Sequence, residues 1–208
     1  SLIEAKKAIQ CSEITMPKLI RSRFLAGEEV EIWPSRGTNA VPIAFNPGTG
    51  LIYATTWNLP RIQKLGPPKE QVLGASSTGV VSRLPTLTPG EALGFFAAIN
   101  PLTGQHAWRT PINEIPLYSA VLATAGGLLF TSKETGEFIA LDMDTGRQVW
   151  QFQTGSGINA QPITFTHQGR QYVAIQSGIG GVNVLRMGDA LKNVPRGGSV
   201  WVFALMAE

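Results

Sequence analysis

Cysteine, histidine and charged residues are all scarce in this chain of 208 residues. The single cysteine, Cys11, cannot form an internal disulfide, so cysteine usage does not indicate a redox compartment. No apolar run reaches the ~18 residues that a membrane-spanning helix needs. Charged residues are only 15% of the chain, and the net charge of +3 comes without a run of Lys or Arg. A nucleic-acid-binding surface is therefore not predicted.

The chemical motifs that are missing exclude several further classes of function. The two histidines, His106 and His167, have no cysteine or histidine at ligand spacing, so a zinc or iron site is not predicted. There is no C-x-x-C-H haem attachment motif. The glycines at 178, 180 and 181 resemble a dinucleotide-binding loop, but Asn183 stands where that motif needs its last glycine. We therefore expect neither NAD nor a covalently attached haem.

The most informative feature that is present is an internal repeat. Residues 98–108 and 140–150 both read A-x-[N/D]-x-x-T-G-x-x-x-W, at an offset of 42 residues (140 − 98). A period of about 40 to 45 residues with short apolar runs between turns is typical of one four-stranded propeller blade per repeat. The repeat thus predicts an all-β propeller architecture.

The residues of the repeat indicate a tight hairpin closed by an aromatic side chain. Asn100 and Asp142 can accept hydrogen bonds from the backbone two residues on, and the Thr-Gly pair supplies a residue that tolerates positive φ. Trp108 and Trp150 offer a large apolar face and one N–H donor, which suits a seam between adjacent blades. A weaker third copy of the turn is predicted at residues 46–50.

The N-terminal region differs from the rest of the chain. Residues 1–30 have the spacing of a short amphipathic helix, and we interpret them as a helical arm or insertion. Residues 31–208 are interpreted as propeller blades, with a long loop excursion at about 59–94 that is rich in Pro and Gly. Strands are predicted at 41–45, 51–56, 95–99, 127–131, 137–141, 149–153, 162–165, 171–176 and 199–205.

This regular portion provides material for roughly three to four blades, at about four strands per blade. That number is too small to close a ring, and an open ring would leave unpaired edges and uncovered faces. We therefore expect about half of a propeller, completed by a partner chain.

Four segments together carry a resemblance to a known family. They are L-A-T-A-G-G-L-L-F at 122–130, T-G-E-F-I-A-L-D at 135–142, W-Q-F-Q-T-G-S-G-I at 150–158 and Q-Y-V-A-I at 171–175. In this order and spacing, the chain from about residue 33 to 205 resembles the C-terminal part of the pyrroloquinoline quinone (PQQ)-dependent alcohol dehydrogenases, the methanol and ethanol dehydrogenase quinoproteins.

The resemblance implies about half of an eight-bladed β-propeller with tryptophan-docking motifs. It also implies PQQ near the ring axis beside Ca²⁺ or a lanthanide, oxidation of an alcohol by hydride transfer to PQQ, electron transfer to a separate carrier such as cytochrome c, and a periplasmic location. In members of that family, the catalytic aspartate and the metal ligands lie in the half of the protein that precedes the matching segment. No catalytic or metal-binding residue is therefore assigned in this chain, and both are expected on the partner chain.

The resemblance assigns three site residues by position. Asn39, in G-T-N-A-V-P, matches the family's asparagine that hydrogen-bonds PQQ. Tyr118 stands where the family usually has a tryptophan against the quinone plane. Val182 stands where methanol and ethanol dehydrogenases tend to have a tryptophan that narrows the substrate cavity, which implies an alcohol larger than methanol.

A second class of function stays open at this point. Non-catalytic propellers of the same repeat family, such as outer-membrane assembly lipoproteins, use similar strands and tryptophans to bind other proteins. Fold alone does not separate a scaffold from an enzyme. The combination of T-G-S-G-I, G-x-N-x-x-P and G-x-G-G segments favours the enzyme.

Overall fold

The computed structural model describes residues 28–32, 38, 41–66, 73, 79–84, 86, 88–114, 119–180 and 191–204. Its elements are β1 (Val30–Ile32), β2 (Ala44–Asn46), β3 (Leu51–Trp57), β4 (Arg61–Leu65), β5 (Val80–Arg83), β6 (Gly94–Ile99), β7 (His106–Ile112), β8 (Leu122–Ala123), β9 (Leu128–Ser132), β10 (Glu137–Asp142), β11 (Gln148–Gln153), β12 (Ile163–His167), β13 (Arg170–Ser177) and β14 (Ser199–Ala204). Within these ranges no α-helix is present, and no helix suited to crossing a bilayer was found.

The strands form four antiparallel sheets, three of which follow one another as blades. Blade 1 has the order β2-β3-β6-β7, blade 2 the order β8-β9-β10-β11, and blade 3 the order β12-β13-β14. Each blade is a meander from its first strand to its last, as expected for a propeller. The all-β, partial-propeller prediction is confirmed, and the predicted strands match observed ones to within a few residues at their ends.

The fourth sheet corrects the interpretation of residues 59–94 as a loop. Strands β4 and β5 lie inside this segment and pair with each other and with β1 in a small side sheet of order β1-β4-β5. A strand pattern is present in the apolar residues Ile62 and Leu65 of β4 and Val80 of β5. The sequence analysis predicted a loop instead because the segment is rich in proline and glycine. The described part of the segment therefore contributes two strands of a side sheet between β3 and β6 of blade 1.

The predicted helical arm at residues 1–30 falls almost wholly outside the described residues, and β1 begins at Val30. The arm stays a prediction.

The two repeat copies form equivalent turns between the third and fourth strands of blades 1 and 2. The Asn100 side-chain oxygen accepts from the backbone N–H of Leu102 at 2.9 Å, and Asp142 accepts from Thr145 N at 2.9 Å and Thr145 Oγ1 at 2.7 Å. Gly146 takes φ of 70°, as the Thr-Gly pattern predicts. The weaker copy at 46–50 uses the same chemistry, but it joins the first two strands of blade 1. It is a turn of the same type and not a third blade repeat.

The seam between blades 1 and 2 is closed by the tryptophan of the first repeat. Apolar residues from both blades form one core, which includes Tyr53, Phe96, Leu129 and Ile139. Trp108 donates from Nε1 to the Met143 carbonyl at 2.8 Å, in the β10–β11 turn of blade 2. Its ring covers Gly146 so closely that a Cβ there would lie 2.4 Å from Trp108 Cε3. Trp108 of the first repeat therefore packs on the β10–β11 turn of the second repeat.

The seam between blades 2 and 3 is built from aromatic rings. Phe138 of blade 2 lies 5.6 Å from Phe203 of blade 3 between ring centroids, and Trp150 lies 5.2 Å from the same ring. Trp150 is nevertheless 38% exposed. Among the described strands, β14 pairs only with β13, so blade 3 has three strands where blades 1 and 2 have four.

Candidate functional site

The candidate site is the end of the blades where the chain enters each first strand, here called the entry rim. Because neighbouring strands run antiparallel, the connections between second and third strands return to this same end. The entry rim therefore contains the segments before β2 and β8, the β9–β10 turn and the β13–β14 connection. The hairpin turns at 47–50, 124–127 and 143–147 lie at the opposite end.

The three predicted site residues can be located only by their positions in the sequence relative to the described strands. Asn39 precedes β2, Tyr118 precedes β8, and Val182 falls in the β13–β14 connection. These three residues themselves lie outside the described part of the chain. The described residues that flank these positions, at 41–43, 119–121 and 178–180, lie at the entry rim.

The described backbone next to Asn39 and Tyr118 is joined directly. The Val121 N–H donates to the Pro42 carbonyl at 3.3 Å, between the residues that lead into the first strands of blades 1 and 2. Asn39 and Tyr118 each precede one of these bonded residues by three positions. Since three residues span at most about 11 Å, the two predicted contacts extend from neighbouring points on the rim.

The backbone that leads into blade 2 is held from both sides by threonine hydroxyls. Thr55 of blade 1 donates to the Ser119 carbonyl, and Thr131 of blade 2 donates to the Ala120 carbonyl at 2.9 Å. Ser119 and Ala120 are buried, at 2% and 1% exposure. The described backbone at 119–120 is thus held by hydrogen bonds from two blades.

A second polar cluster lies at the entry rim between blades 2 and 3, and sequence reasoning missed it. Thr154 Oγ1 donates to the Gly136 carbonyl at 2.8 Å, Ser177 Oγ donates to Thr154 Oγ1 at 2.8 Å, and the Ser156 N–H donates to Ser177 Oγ at 3.2 Å. All three hydroxyl residues are buried. The available signal was the T-G-S-G-I segment, which combines hydroxyl residues with glycines between two apolar strands.

The ionisable groups of the rim include one buried acid and one ion-pair cluster. Glu134, in the β9–β10 turn, is 2% exposed. The adjacent Lys133 contacts Glu114 at 3.2 Å and Glu137 at 3.3 Å. Burial lowers the pKa of Lys133, but the two carboxylates outweigh burial and raise its pKa overall. Within the described ranges no group of three or more His, Cys, Asp or Glu residues is placed to hold a metal ion.

The three consecutive blades show that this chain is part of a β-propeller. Its candidate site lies at the entry rim of the blades. Residues 81–173 match the sequence model of the PQQ glucose/ethanol/alcohol dehydrogenase β-propeller domain. The chain therefore carries a PQQ-type propeller domain and is a homologue of the quinoprotein alcohol and methanol dehydrogenases.

Individual relatives define the extent of this similarity. The chain is 36% identical over 186 residues to the quinoprotein ethanol dehydrogenase of Pseudomonas aeruginosa, a match that covers 86% of the chain and 29% of the relative. The 1-butanol dehydrogenase (quinone) of Thauera butanivorans matches with the same identity and coverage. A europium-containing methanol dehydrogenase structure superimposes with a TM-score of 0.76 at 30% identity, covering 86% of this chain and 36% of that one.

The chain thus spans less than a third of the length of these curated relatives. Their names are those of alcohol-oxidising quinoproteins, and they give no support to the scaffold alternative.

Proposed function

We propose that this chain forms part of a PQQ-dependent alcohol dehydrogenase and supplies one side of its cofactor and substrate pocket. The observation that carries the proposal is the Val121–Pro42 hydrogen bond, which brings together the rim segments leading from Asn39 and Tyr118. The chain's relationship to quinoprotein alcohol dehydrogenases supports the same assignment.

The side chains available at the rim suit a flat, polar, anionic cofactor. The Asn39 amide would hydrogen-bond a PQQ oxygen, and the Tyr118 ring would lie against the quinone plane. The hydrogen bonds from Thr55 and Thr131 to the backbone at 119–120 would help to hold such a ring in place. When bound, PQQ would supply the two-electron acceptor for the alcohol.

The substrate is proposed to be an alcohol larger than methanol. Val182 has a much smaller side chain than the tryptophan that the family tends to have at this position, so more of the cavity would be open. A relative named as a 1-butanol dehydrogenase is compatible with a larger substrate. Oxidation would give an aldehyde or ketone, and the electrons would pass to a separate carrier such as cytochrome c in the periplasm.

The remaining chemistry is assigned to the part of the propeller outside this chain. The catalytic aspartate and the ligands of a Ca²⁺ or lanthanide ion are proposed to lie on a second chain that carries the N-terminal half. One solved relative is described as europium-containing, which makes a lanthanide an explicit alternative to Ca²⁺. Carboxylate and carbonyl oxygens are the ligands that such hard cations prefer.

The outer face of blade 3 is the proposed contact surface for that missing half. Ile163 and Phe165 of β12 are 56% and 42% exposed, and Val200 and Val202 of β14 are 65% and 54% exposed. The strand pairing Ile163↔Ala174↔Val202 puts these residues on one face, opposite the face that packs on blade 2. An apolar face of this kind is typical of a surface covered by another element.

The test is to purify the chain with its native partner and record its absorbance spectrum. Bound quinone absorbs above the protein band, so a chromophore released by denaturation and identified as PQQ supports the proposal. Dye reduction with methanol, ethanol and 1-butanol, with and without Ca²⁺ or a lanthanide, then tests substrate and metal. We expect turnover of ethanol and 1-butanol above that of methanol.

A matched pair of variants tests the assignment of Asn39. Asn39→Ala should lower PQQ affinity at least several-fold, because it removes a hydrogen bond to the cofactor. Gln168→Ala removes an exposed amide in the β12–β13 hairpin, at the opposite end of blade 3, and should leave affinity unchanged. A quinone-free complex that oxidises no alcohol would favour the scaffold class. Peptide sequencing of the co-purifying chain would show whether it carries the aspartate and metal ligands.

A further inference from the structure

Blade 3 differs from the other two blades at the edge of its last strand. In blades 1 and 2 the third strand, β6 or β10, has a paired strand on both sides. The third strand of blade 3 is β14, and among the described strands it pairs only with β13. The backbone N–H and carbonyl groups along its other side therefore form an open edge, which can accept a further strand.

The strand register shows that β14 is equivalent to β6 and β10. In each blade an alanine of the third strand is paired with an aromatic residue of the second strand: Ala98 with Tyr53, Ala140 with Phe130, and Ala204 with Tyr172. In blades 1 and 2 the other neighbour of this alanine is the repeat tryptophan of the fourth strand, Trp108 or Trp150. The open side of Ala204 is thus the place where blades 1 and 2 have their fourth strand.

An aromatic surface lies beside this open edge. Trp150 of β11 packs on Phe203 of β14 with 5.2 Å between ring centroids, and Phe152 packs on Trp201 with 4.8 Å. Trp150 nevertheless keeps 38% of its surface exposed. The equivalent Trp108 is covered by the β10–β11 turn, which leads into the fourth strand of blade 2. The exposure of Trp150 therefore coincides with the place of a fourth strand of blade 3.

We propose that the completing half of the propeller adds one extended strand to β14 and covers Trp150 and Phe152 with it. The added strand runs antiparallel to β14, as neighbouring strands do in all three blades. Main-chain hydrogen bonds to β14 give this contact its affinity, and alternating side chains give it specificity. Its side chains on the blade 2 side are apolar, because they meet aromatic rings.

The position of the edge favours the completing half over a second copy of this chain. Val200 and Val202, which form part of the exposed outer face of blade 3, belong to the same strand as the open edge. One polypeptide that covers this face can also supply the edge strand, whereas edge pairing of two copies would leave the outer face exposed. This inference rests on the proposed completing half, but not on the quinone or the alcohol.

Amide hydrogen exchange at residue resolution, measured on the complete propeller, tests for the added strand. In an edge strand only alternate N–H groups are hydrogen-bonded to a neighbouring strand, whereas in an inner strand successive N–H groups bond to the two sides in turn. We expect all N–H groups from Val200 to Phe203 to exchange as slowly as those of β10. The outward N–H groups of β11 should exchange at least about tenfold faster. Alternating fast and slow exchange along β14 would overturn the proposal.

Photo-crosslinking from β11 identifies the source of the strand. The photoreactive residue p-benzoylphenylalanine is introduced in place of Trp150, and the complete propeller is assembled from isotope-labelled and unlabelled copies of this chain. We expect a crosslinked peptide from the completing half. A peptide from a second copy, or no crosslinked peptide, would contradict the assignment. The same replacement at Val149, which is 43% exposed on the opposite face of β11, is the control and should not give that peptide.

A variant pair tests whether the aromatic surface holds the strand. Trp150→Ala should make the edge N–H groups of β14 exchange about tenfold faster, equivalent to about 1.4 kcal/mol, whereas Val149→Ala should match the wild type. If Trp150→Ala does not fold, Trp150→Phe keeps a smaller ring and should show a smaller change in the same direction. Unchanged exchange in the tryptophan variants would refute the role of this surface.

Failure of this inference can be told apart from failure of the proposed function. A complete propeller that protects β14 but contains no quinone would contradict the proposed function and leave the added strand in place. A propeller that contains quinone and oxidises alcohols, but shows alternating exchange along β14, would contradict the added strand alone.

Discussion

Replacing Gly146 by alanine tests how the two repeats are joined. Gly146 has φ of 70°, in the left-handed region that residues with a Cβ avoid. A Cβ at this position would also lie 2.4 Å from Trp108 Cε3 and 2.7 Å from Thr110 Oγ1. Thr110 donates to the Gly146 carbonyl at 2.6 Å, so neither the ring nor the threonine can withdraw without loss of a contact.

The loss of stability caused by Gly146→Ala has a backbone part and a packing part, and Gly50→Ala is a control that has only the backbone part. Gly50 has φ of 69°, and a Cβ there would meet nothing within 4 Å. Gly50→Ala should therefore lose only the left-handed penalty of about 1–2 kcal/mol. Gly146→Ala should lose that amount and a further ~1–3 kcal/mol from overpacking. The difference in the free energy of unfolding between the two variants therefore measures the packing of Trp108 against Gly146.

Chemical denaturation followed by near-ultraviolet circular dichroism measures both free energies of unfolding. In thermal scans, the steric part should appear as an additional fall in Tm of about 2–4 °C per kcal/mol for a chain of this size. If the two variants were destabilised equally, within about 0.5 kcal/mol, Trp108 would not be held against Gly146 in solution. The geometric account of the blade 1–blade 2 seam would then be wrong.

Three further predictions follow from other contacts. Thr55→Val removes the bond to the Ser119 carbonyl and should weaken PQQ binding by about fivefold in titrations of the complete enzyme, a loss of about 1 kcal/mol. The hydrogen bond from the Thr145 hydroxyl lowers the pKa of the Asp142 carboxyl from its ordinary value of 3.8. The ionised carboxylate therefore stabilises the folded state above that pH, and this stabilisation is lost as the pH falls through the lower pKa of the folded state. Asp142→Asn should therefore flatten acid unfolding curves below about pH 4. Val202→Glu puts a charge on the outer face of blade 3 and should abolish co-purification of the completing half, whereas an unchanged yield of complex would place that contact elsewhere.

The blade repeat could be found from sequence because its determinants are local. Asn100 and Asp142 accept hydrogen bonds from residues two and three positions on, and each turn is completed by a glycine four positions after its cap. The same local chemistry correctly predicts a turn at residues 46–50, but a turn motif does not state which pair of strands it connects. The strand pairing of β2 with β3 supplied that information.

The side sheet and the cluster of buried hydroxyls at Thr154, Ser156 and Ser177 could not be predicted from sequence in the same way. Strand β1 pairs with β4 across a long separation in the chain, and the composition of residues 59–94 indicated a loop. Ser156 reaches Ile179 and Pro195 across 23 and 39 residues. Serine at such a position has no periodic or spacing signature, so only the folded backbone shows which groups it joins.

The sequence by itself determined the all-β class, the positions of most blade strands and the turn chemistry, because these depend on alternation and on hydrogen bonds within a few residues. Only the tertiary structure decided that residues 59–94 contain a sheet, that Trp108 covers Gly146, and that the segments leading from Asn39 and Tyr118 are joined through Pro42 and Val121. These are contacts between residues distant in the chain, and they form only when the blades stack around a common axis.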